Sequence, residues 1–258
     1  MSESSGYRLS FWRGLFYLLL ATGLGITVVR FSQGLGSVTN LSDRYPWGLW
    51  VGFDVLCGVG LAAGGFVITA AVYLFNIKRL QPIVRPAVLT AFLGYVLVVC
   101  GLFFDLGRPW NIWRPIIMWN PNSVMFEVAW CVTLYTTVLA LEFSGMVFEK
   151  LHWPRAVRIQ RLFTVPLVIM GVLLSTLHQS SLGSLYLIVP EKLHPLWYTP
   201  MLPVLFWVSS VAVGLAMVIV ESRLSARAFK RHLELPLLSE VGRVLVAVLG
   251  LLAVFRLY

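Results

Sequence analysis

The fold class of this chain is decided by one apolar run at residues 49–75, LWVGFDVLCGVGLAAGGFVITAAVYLF. A helix rises about 1.5 Å per residue, so a run of this length crosses the roughly 30 Å hydrocarbon core of a bilayer. Its only carboxylate is Asp54. The run therefore predicts a membrane-spanning helix with one acidic side chain inside the membrane.

Similar apolar runs recur along the rest of the chain. Together the runs cover Leu15–Val29, Leu49–Phe75, Val84–Phe104, Val124–Phe148, Leu162–Ile188, Met201–Val220 and Leu237–Leu257. The composition agrees, because 59% of the residues are hydrophobic and 12% are charged, whereas soluble domains carry about 25% charged residues. We predict an all-α, polytopic transmembrane helical bundle of about seven spans.

We interpret residues 1–258 as a single integral membrane domain. It divides into a tail at 1–10, a first four-helix bundle at 11–148 and a partial second bundle at 149–258. The first span is extended to run from near Phe11 to Phe31. This extension predicts that Arg13 and Arg30 lie at the two interfaces, where long basic side chains snorkel towards water.

The basic residues predict the orientation of the spans. Thirteen Lys and Arg residues lie before the first span and after the second, fourth and sixth, whereas five lie in the other connections. Short loops rich in Lys and Arg stay on the cytoplasmic side. We therefore predict a cytoplasmic N-terminus, and the net charge of +9 reflects topology rather than a nucleic-acid surface.

The connections on the opposite side are rich in Trp, Pro and Asn, at 43–50, 105–123 and 190–200. The first interpretation is an interfacial aromatic belt, which accounts for the tryptophans only. The middle connection also carries Arg108, Arg114 and Asn120, which a lipid belt does not require. A docking surface for a partner protein is the second interpretation.

Ionisable side chains inside a span are costly and mark functional sites. Counted along the helices, Asp54, Glu127 and His178 lie about 10, 9 and 13 Å below the outer interface. Carboxylates and an imidazole at one depth can hold a proton and donate hydrogen bonds to a carbonyl, as a quinone head group needs. The alternative is that each residue only bonds a neighbouring helix. Glu142 lies about 22 Å below Glu127 and is a candidate for a proton path.

Haem and metal centres are disfavoured by the histidine and cysteine positions. A membrane cytochrome b holds each haem between two histidines, and only His178 lies within a predicted span. Cys57, Cys100 and Cys131 fall in three separate spans, so no metal site is predicted. Electrons for any redox role must come from a partner.

The second span also carries closely spaced glycines, including Gly60 and Gly64 four residues apart. This spacing lets a neighbouring helix approach the backbone closely. A flat ligand is the alternative occupant.

Four longer motifs resemble those of a known family: PWGLWVGFDVLCGVGLAAGGF at 46–66, DLGRPWNIWRPIIMWNPNSVMFEVAW at 105–130, LEFSG at 141–145 and STLHQSSLGSLYLIVPEKLHPLWYTP at 175–200. They resemble the HybB-type branch of the NrfD/PsrC-like integral membrane subunits, from about residue 10 to the end of the chain. Members of this family usually have eight to ten spans, so the chain is C-terminally short by comparison.

The resemblance implies a haem-free subunit of a respiratory oxidoreductase complex in a bacterial or archaeal cytoplasmic membrane. Such a subunit exchanges electrons between a ferredoxin-like [4Fe–4S] partner on the extracytoplasmic face and menaquinone or ubiquinone. A hydrogenase or related reductase is the catalytic partner, and no activity is expected of the chain alone.

On this interpretation the quinone head lies near Asp54, Glu127 and His178, which act in catalysis. The candidate residues that flank the head group are Trp47, Trp50 and Trp119. A non-catalytic membrane anchor or assembly scaffold is the alternative function. A secondary transporter, which also needs buried carboxylates, is the third.

Overall fold

The computed structural model describes residues 11–42, 48, 51–230 and 234–257. The tail at 1–10 and the candidate residues Trp47 and Trp50 lie outside the described residues. Within the described part of the chain, the structure consists of helices and their connections, with no β-strand.

Seven helices of the described residues are long and apolar enough to cross a membrane, which confirms the predicted fold class. They are α1 (Phe11–Gln33), α2 (Gly52–Tyr73), α3 (Gln81–Asp105), α4 (Val124–Lys150), α5 (Pro154–Leu187), α6 (Leu202–Phe229) and α7 (Leu235–Leu257). Short helical turns lie at Leu35–Ser37, Lys78–Leu80, Pro109–Asn111, Arg114–Ile117, Pro190–Lys192 and Pro195–Trp197. We call the end of the bundle where α3 ends and α4 begins the outer end. This name follows the predicted orientation, which stays a prediction.

Helix α2 begins with a π-helical segment at Gly52–Gly58 and continues as Val59–Ala62 and Gly64–Tyr73. A π-helical turn widens the backbone and is common at functional sites. Asp54 lies in this segment and faces α3: a Cβ added to Gly101 would lie 2.9 Å from its Oδ2.

The glycines of α2 separate into two environments. A Cβ added to Gly64 would lie 2.5 Å from the carbonyl oxygen of Gly214 in α6, whereas one added to Gly60 would meet nothing within 4 Å. Gly64 therefore allows the close helix contact that the sequence predicts. Gly60 faces open space.

The helices α2 to α6 pack into one continuous body, and α7 packs against α6. Helix α5 contacts both α4 and α6. Helices that precede residue 148 in the sequence therefore pack against helices that follow it. The division of the chain into two bundles at that residue stays a prediction.

Helix α1 lies at the margin, with few buried residues. The structure corrects the snorkelling predicted for Arg30, because this residue is 3% exposed and lies beside the outer end of α3. Its Nε donates to the carbonyl oxygen of Phe104 at 2.9 Å, and its guanidinium also donates to that of Leu106. The last carbonyls of α3 lack helical partners, so a buried guanidinium satisfies them there. Arg13 is exposed at the other end of α1.

Candidate functional site

A line of polar side chains follows the contact between α4 and α5. On α4 the line contains Glu127, Tyr135 and Glu142, whose spacings of eight and seven residues place them on one face of the helix. On α5 it contains Ser181 and His178, which are three residues apart. Glu127 and Glu142, which the sequence predicted as functional, therefore share a face of α4 with Tyr135, which it did not.

At the outer end of the line, α4 presents Glu127 to α5. The hydroxyl of Ser123 accepts a hydrogen bond from the amide of Phe126 and caps α4, which places Glu127 in the first turn. The Ser181 hydroxyl donates to the Glu127 carboxylate. Ser181 is buried and the Glu127 residue is exposed, so the carboxylate is held on one side and accessible on the other.

The centre of the line is a buried group of three rings. His178 is 0% exposed. Its ring lies edge-on to Tyr95 of α3, with centroids 6.0 Å apart, and Tyr95 lies edge-on to Tyr135 at 4.6 Å. Both ring nitrogens of His178 and both tyrosine hydroxyls lack a hydrogen-bond partner among the described residues.

The two ring nitrogens of His178 and the hydroxyls of Tyr95 and Tyr135 are four unpartnered polar atoms within one buried group. A buried polar atom without a partner costs about 1–3 kcal/mol, and such groups are normally satisfied by ordered water or ligand atoms. The ring group is therefore suited to hold exchangeable protons in the middle of the bundle.

At the inner end, Glu142 is partly buried and lines a cavity of about 270 Å³. The same cavity is lined by Thr69, Gln160 and Thr164. At its mouth the carboxylate of Glu149 pairs with two guanidinium groups, Arg85 at 2.6 Å and Arg161 at 3.5 Å. A polar cavity connects Glu142 with the surface that the sequence predicts to be cytoplasmic.

The three predicted catalytic residues contact different neighbours. Asp54 lies against Gly101 of α3, Glu127 bonds Ser181 of α5, and His178 lies against Tyr95 of α3. Val55, Val128 and Leu182, each adjacent in sequence to Asp54, Glu127 or Ser181, pack into one apolar cluster. Val55, Val128 and Leu182 therefore lie at one level of the bundle. The grouping of Asp54, Glu127 and His178 into one site stays a prediction.

The connection at 105–123 covers the outer end of α4. Trp119 is 66% exposed, donates from Nε1 to the carbonyl of Ile116 at 3.0 Å, and packs against Trp130 with centroids 4.9 Å apart. Trp130 donates to the carbonyl of Pro115 at 2.8 Å. Arg108, Arg114 and Asn120 are exposed on this connection. The predicted docking residues thus lie on a surface whose backbone is fixed by two indoles.

Sequence reasoning missed the tyrosines and the serine of the polar line. Uncharged hydroxyls within a span carry no signal as strong as a carboxylate. The signal that was available is helical spacing, because Tyr135 follows Glu127 by two turns and Ser181 follows His178 by one. The position of Tyr95 depends on how α3 packs, which spacing along the chain does not show.

The fold and the site define a class: an integral membrane protein with seven apolar helices among its described residues and protonatable side chains along its interior. The family model of polysulphide reductase, NrfD matches residues 37–258. The chain therefore belongs to the NrfD family.

Several relatives support this membership. The chain is 42% identical over 215 residues to the probable Ni/Fe-hydrogenase 2 b-type cytochrome subunit of Escherichia coli, covering 81% of this chain and 54% of the relative. It is 34% identical over 181 residues to the integral membrane subunit of menaquinone reductase of Nitratidesulfovibrio vulgaris, covering 68% and 43%. It is 25% identical over 253 residues to a selenate reductase subunit of Mesobacillus selenatarsenatis, covering 86% and 58%.

The chain spans about half the length of the curated relatives it matches. No solved structure matches it.

Proposed function

We propose that this chain is the quinone-reactive membrane subunit of an oxidoreductase complex. It anchors an iron–sulfur partner and passes electrons between that partner and the membrane quinone pool. The observation that carries the proposal is the polar line from Glu127 to Glu142, because quinone reduction consumes two protons with its two electrons. The names of the hydrogenase and menaquinone reductase relatives support the same assignment.

In this proposal the quinone head lies in the outer half of the membrane. Glu127 is accessible there while Ser181 holds its carboxylate, so it delivers one proton to the reduced quinone. Asp54 delivers the other, and His178 hydrogen-bonds a carbonyl oxygen of the head group. Trp47, Trp50 and Trp119 flank the ring.

The protons are replaced from the inner side. Glu142 takes them up through the polar cavity that it lines. The hydroxyls of Tyr135 and Tyr95 and the ring of His178 carry them outwards, each group accepting one proton as it gives up another.

The electrons enter from a ferredoxin-like [4Fe–4S] subunit that docks on the extracytoplasmic face. Arg108, Arg114 and Asn120 form its contact surface, because they are exposed on a connection that two indoles hold in place. Iron–sulfur clusters belong to the partner alone in this proposal, and the chain carries no haem. A hydrogenase or reductase subunit completes the complex.

The test is donor-driven quinone reduction in membranes that carry the complex. Glu127→Gln and Asp54→Asn keep the size of each side chain and remove its ability to bind and release a proton. Because general acid catalysis contributes about 10²–10⁴-fold, we expect the rate to fall at least about a hundredfold while the complex still assembles. Glu191→Gln, an exposed carboxylate at 190–192, is the matched control and should react at the wild-type rate. Unchanged turnover in the two site variants would leave the chain a non-catalytic anchor.

A further inference from the structure

The motif LEFSG at 141–145 places a glycine about one helical turn after Glu142. An added Cβ at Gly145 would lie 2.8 Å from both Cδ and Oε1 of Gln160 and 3.0 Å from its Nε2. The terminal amide of Gln160, which belongs to α5, therefore lies directly against the backbone of α4. Any side chain at residue 145 would have to displace this amide.

The Gln160 amide lies between the two carboxylates of the inner cavity. Glu142, Gly145 and Glu149 are three and four residues apart, so they follow one another along one face of α4. At 1.5 Å per residue, Glu142 and Glu149 are about 10 Å apart along the helix axis. A proton crosses one hydrogen bond of about 3 Å at a time. Other carriers must therefore bridge the two carboxylates, at the level where the Gln160 amide lies.

The cavity around this amide has room for water. Its volume is about 270 Å³, whereas one water molecule occupies about 30 Å³ in the liquid. The Thr164 hydroxyl donates to the backbone carbonyl of Gln160 at 3.2 Å, and the buried Thr69 hydroxyl donates to that of Gly65 at 3.0 Å. Both threonine protons are thus used within their own helices. The Gln160 amide has two N–H donors and an oxygen acceptor, so it can both donate to water and accept from it.

Three helices hold the mouth of this cavity. Glu149 of α4 pairs with Arg85 of α3 and with Arg161 of α5. The two arginine side chains are 67% and 73% exposed, so the mouth lies at the surface, whereas Glu142 at the other end is partly buried. Because the ion pairs tie α3, α4 and α5 together, the gap in which Gln160 lies has a defined width.

We propose that Gln160 is a positioning residue on the inner proton path: its amide, seated on Gly145, holds the water through which protons pass from the mouth at Glu149 to Glu142. After Glu142 has given its proton outwards, its carboxylate binds a proton from this water, and the water regains one from water at the mouth. The amide itself keeps its protons. This role rests on the proposed function, in which protons enter through this cavity.

The test is donor-driven quinone reduction by the assembled complex, measured in light and in heavy water. Gln160→Met keeps the length of the side chain and removes its donors and its oxygen acceptor. We expect turnover to fall about tenfold, the equivalent of one hydrogen bond. The ratio of the rates in light and heavy water should rise, because proton delivery becomes the slow step. Gln160→Glu keeps oxygen atoms at the same place and should turn over close to the wild-type rate.

Gly145→Ala displaces the same amide without changing it. The new methyl group would lie 2.8 Å from Cδ of Gln160, so the rate should fall with the same rise in the isotope ratio. Gly242→Ala and Gln33→Met are the matched controls, because neither residue lines the cavity and an added Cβ at Gly242 would meet nothing within 4 Å. Both controls should match the wild type. If Gly145→Ala fails to assemble, the two Gln160 variants decide alone.

Glu142→Gln separates this role of Gln160 from the proposed function. If Glu142→Gln lowers turnover while Gln160→Met leaves it unchanged, the cavity carries protons without Gln160, which overturns the role. A loss in Gln160→Met that leaves the isotope ratio unchanged, or that Gln160→Glu does not restore, is a packing effect and also overturns it. If Glu142→Gln and Glu127→Gln both match the wild type, the proposed function fails and the role of Gln160 fails with it.

Discussion

At the scale of single residues, the site differs from an ordinary helix interface in how its buried polar atoms are satisfied. Ser181 has a definite partner in Glu127, whereas His178, Tyr95 and Tyr135 keep buried atoms without one among the described residues. Packing alone would favour apolar side chains of the same shape, since they avoid the cost of burying such atoms. The buried rings therefore fit the proton path that we propose.

Tyr135→Phe separates proton exchange from packing. The ring keeps its contact with Tyr95, and the lost hydroxyl has no hydrogen-bond partner among the described residues, so the thermal midpoint of the complex should stay within a few degrees or rise. Donor-driven quinone reduction should fall roughly tenfold or more, because the proton path loses one carrier. A variant that matches the wild type in both readouts would place Tyr135 in the packing and outside the path.

At the scale of the helices, two contacts fix how the spans sit against one another. Gly64 of α2 meets Gly214 of α6 backbone to backbone, and Arg30 ties α1 to the end of α3. The first contact leaves no room for a side chain, and the second gives a peripheral helix its polar anchor.

Gly64→Ala tests the contact between α2 and α6. The new methyl group would lie 2.5 Å from the Gly214 carbonyl oxygen, and overpacking of this kind costs about 1–3 kcal/mol. We expect a clear drop in the thermal midpoint of the purified complex. Gly60→Ala, on the same helix with nothing within 4 Å of the new methyl group, should be neutral or slightly stabilising. Equal midpoints for the two variants would contradict the packing described here.

Arg30→Gln tests the anchor of α1. Loss of the guanidinium leaves the carbonyls of Phe104 and Leu106 without their charged donor, and hydrogen bonds to charged groups contribute about 1.5–3 kcal/mol. We expect faster hydrogen exchange in α1 near Arg30 and in the last turn of α3. Arg13→Gln, at the exposed start of α1, should exchange like the wild type. The same exchange in both variants would show that α1 is held by other contacts.

At the scale of the whole molecule, the sequence predicted the number and nature of the spans and less of their arrangement. Apolar runs and charge counts act within one segment, so seven spans and the polar positions Glu127, His178 and Glu142 could be found from the sequence alone. The partner of each position depends on which helices pack together, as Tyr95 and Ser181 show. The snorkelling predicted for Arg30 was wrong, because an arginine next to the end of a neighbouring helix can bond the free carbonyls of that helix instead of reaching water.

In our proposal for the whole molecule, this chain itself contacts quinone in the outer half of the membrane. This contact is tested most directly by photolabelling the assembled complex with a light-activated quinone analogue and mapping the labelled peptides by mass spectrometry. We expect labelling of the outer turns of α4 around Glu127 and of the facing turns of α5 around Ser181, and excess natural quinone should suppress it. Competable labelling confined to a partner subunit, with none on these two helices, would contradict it.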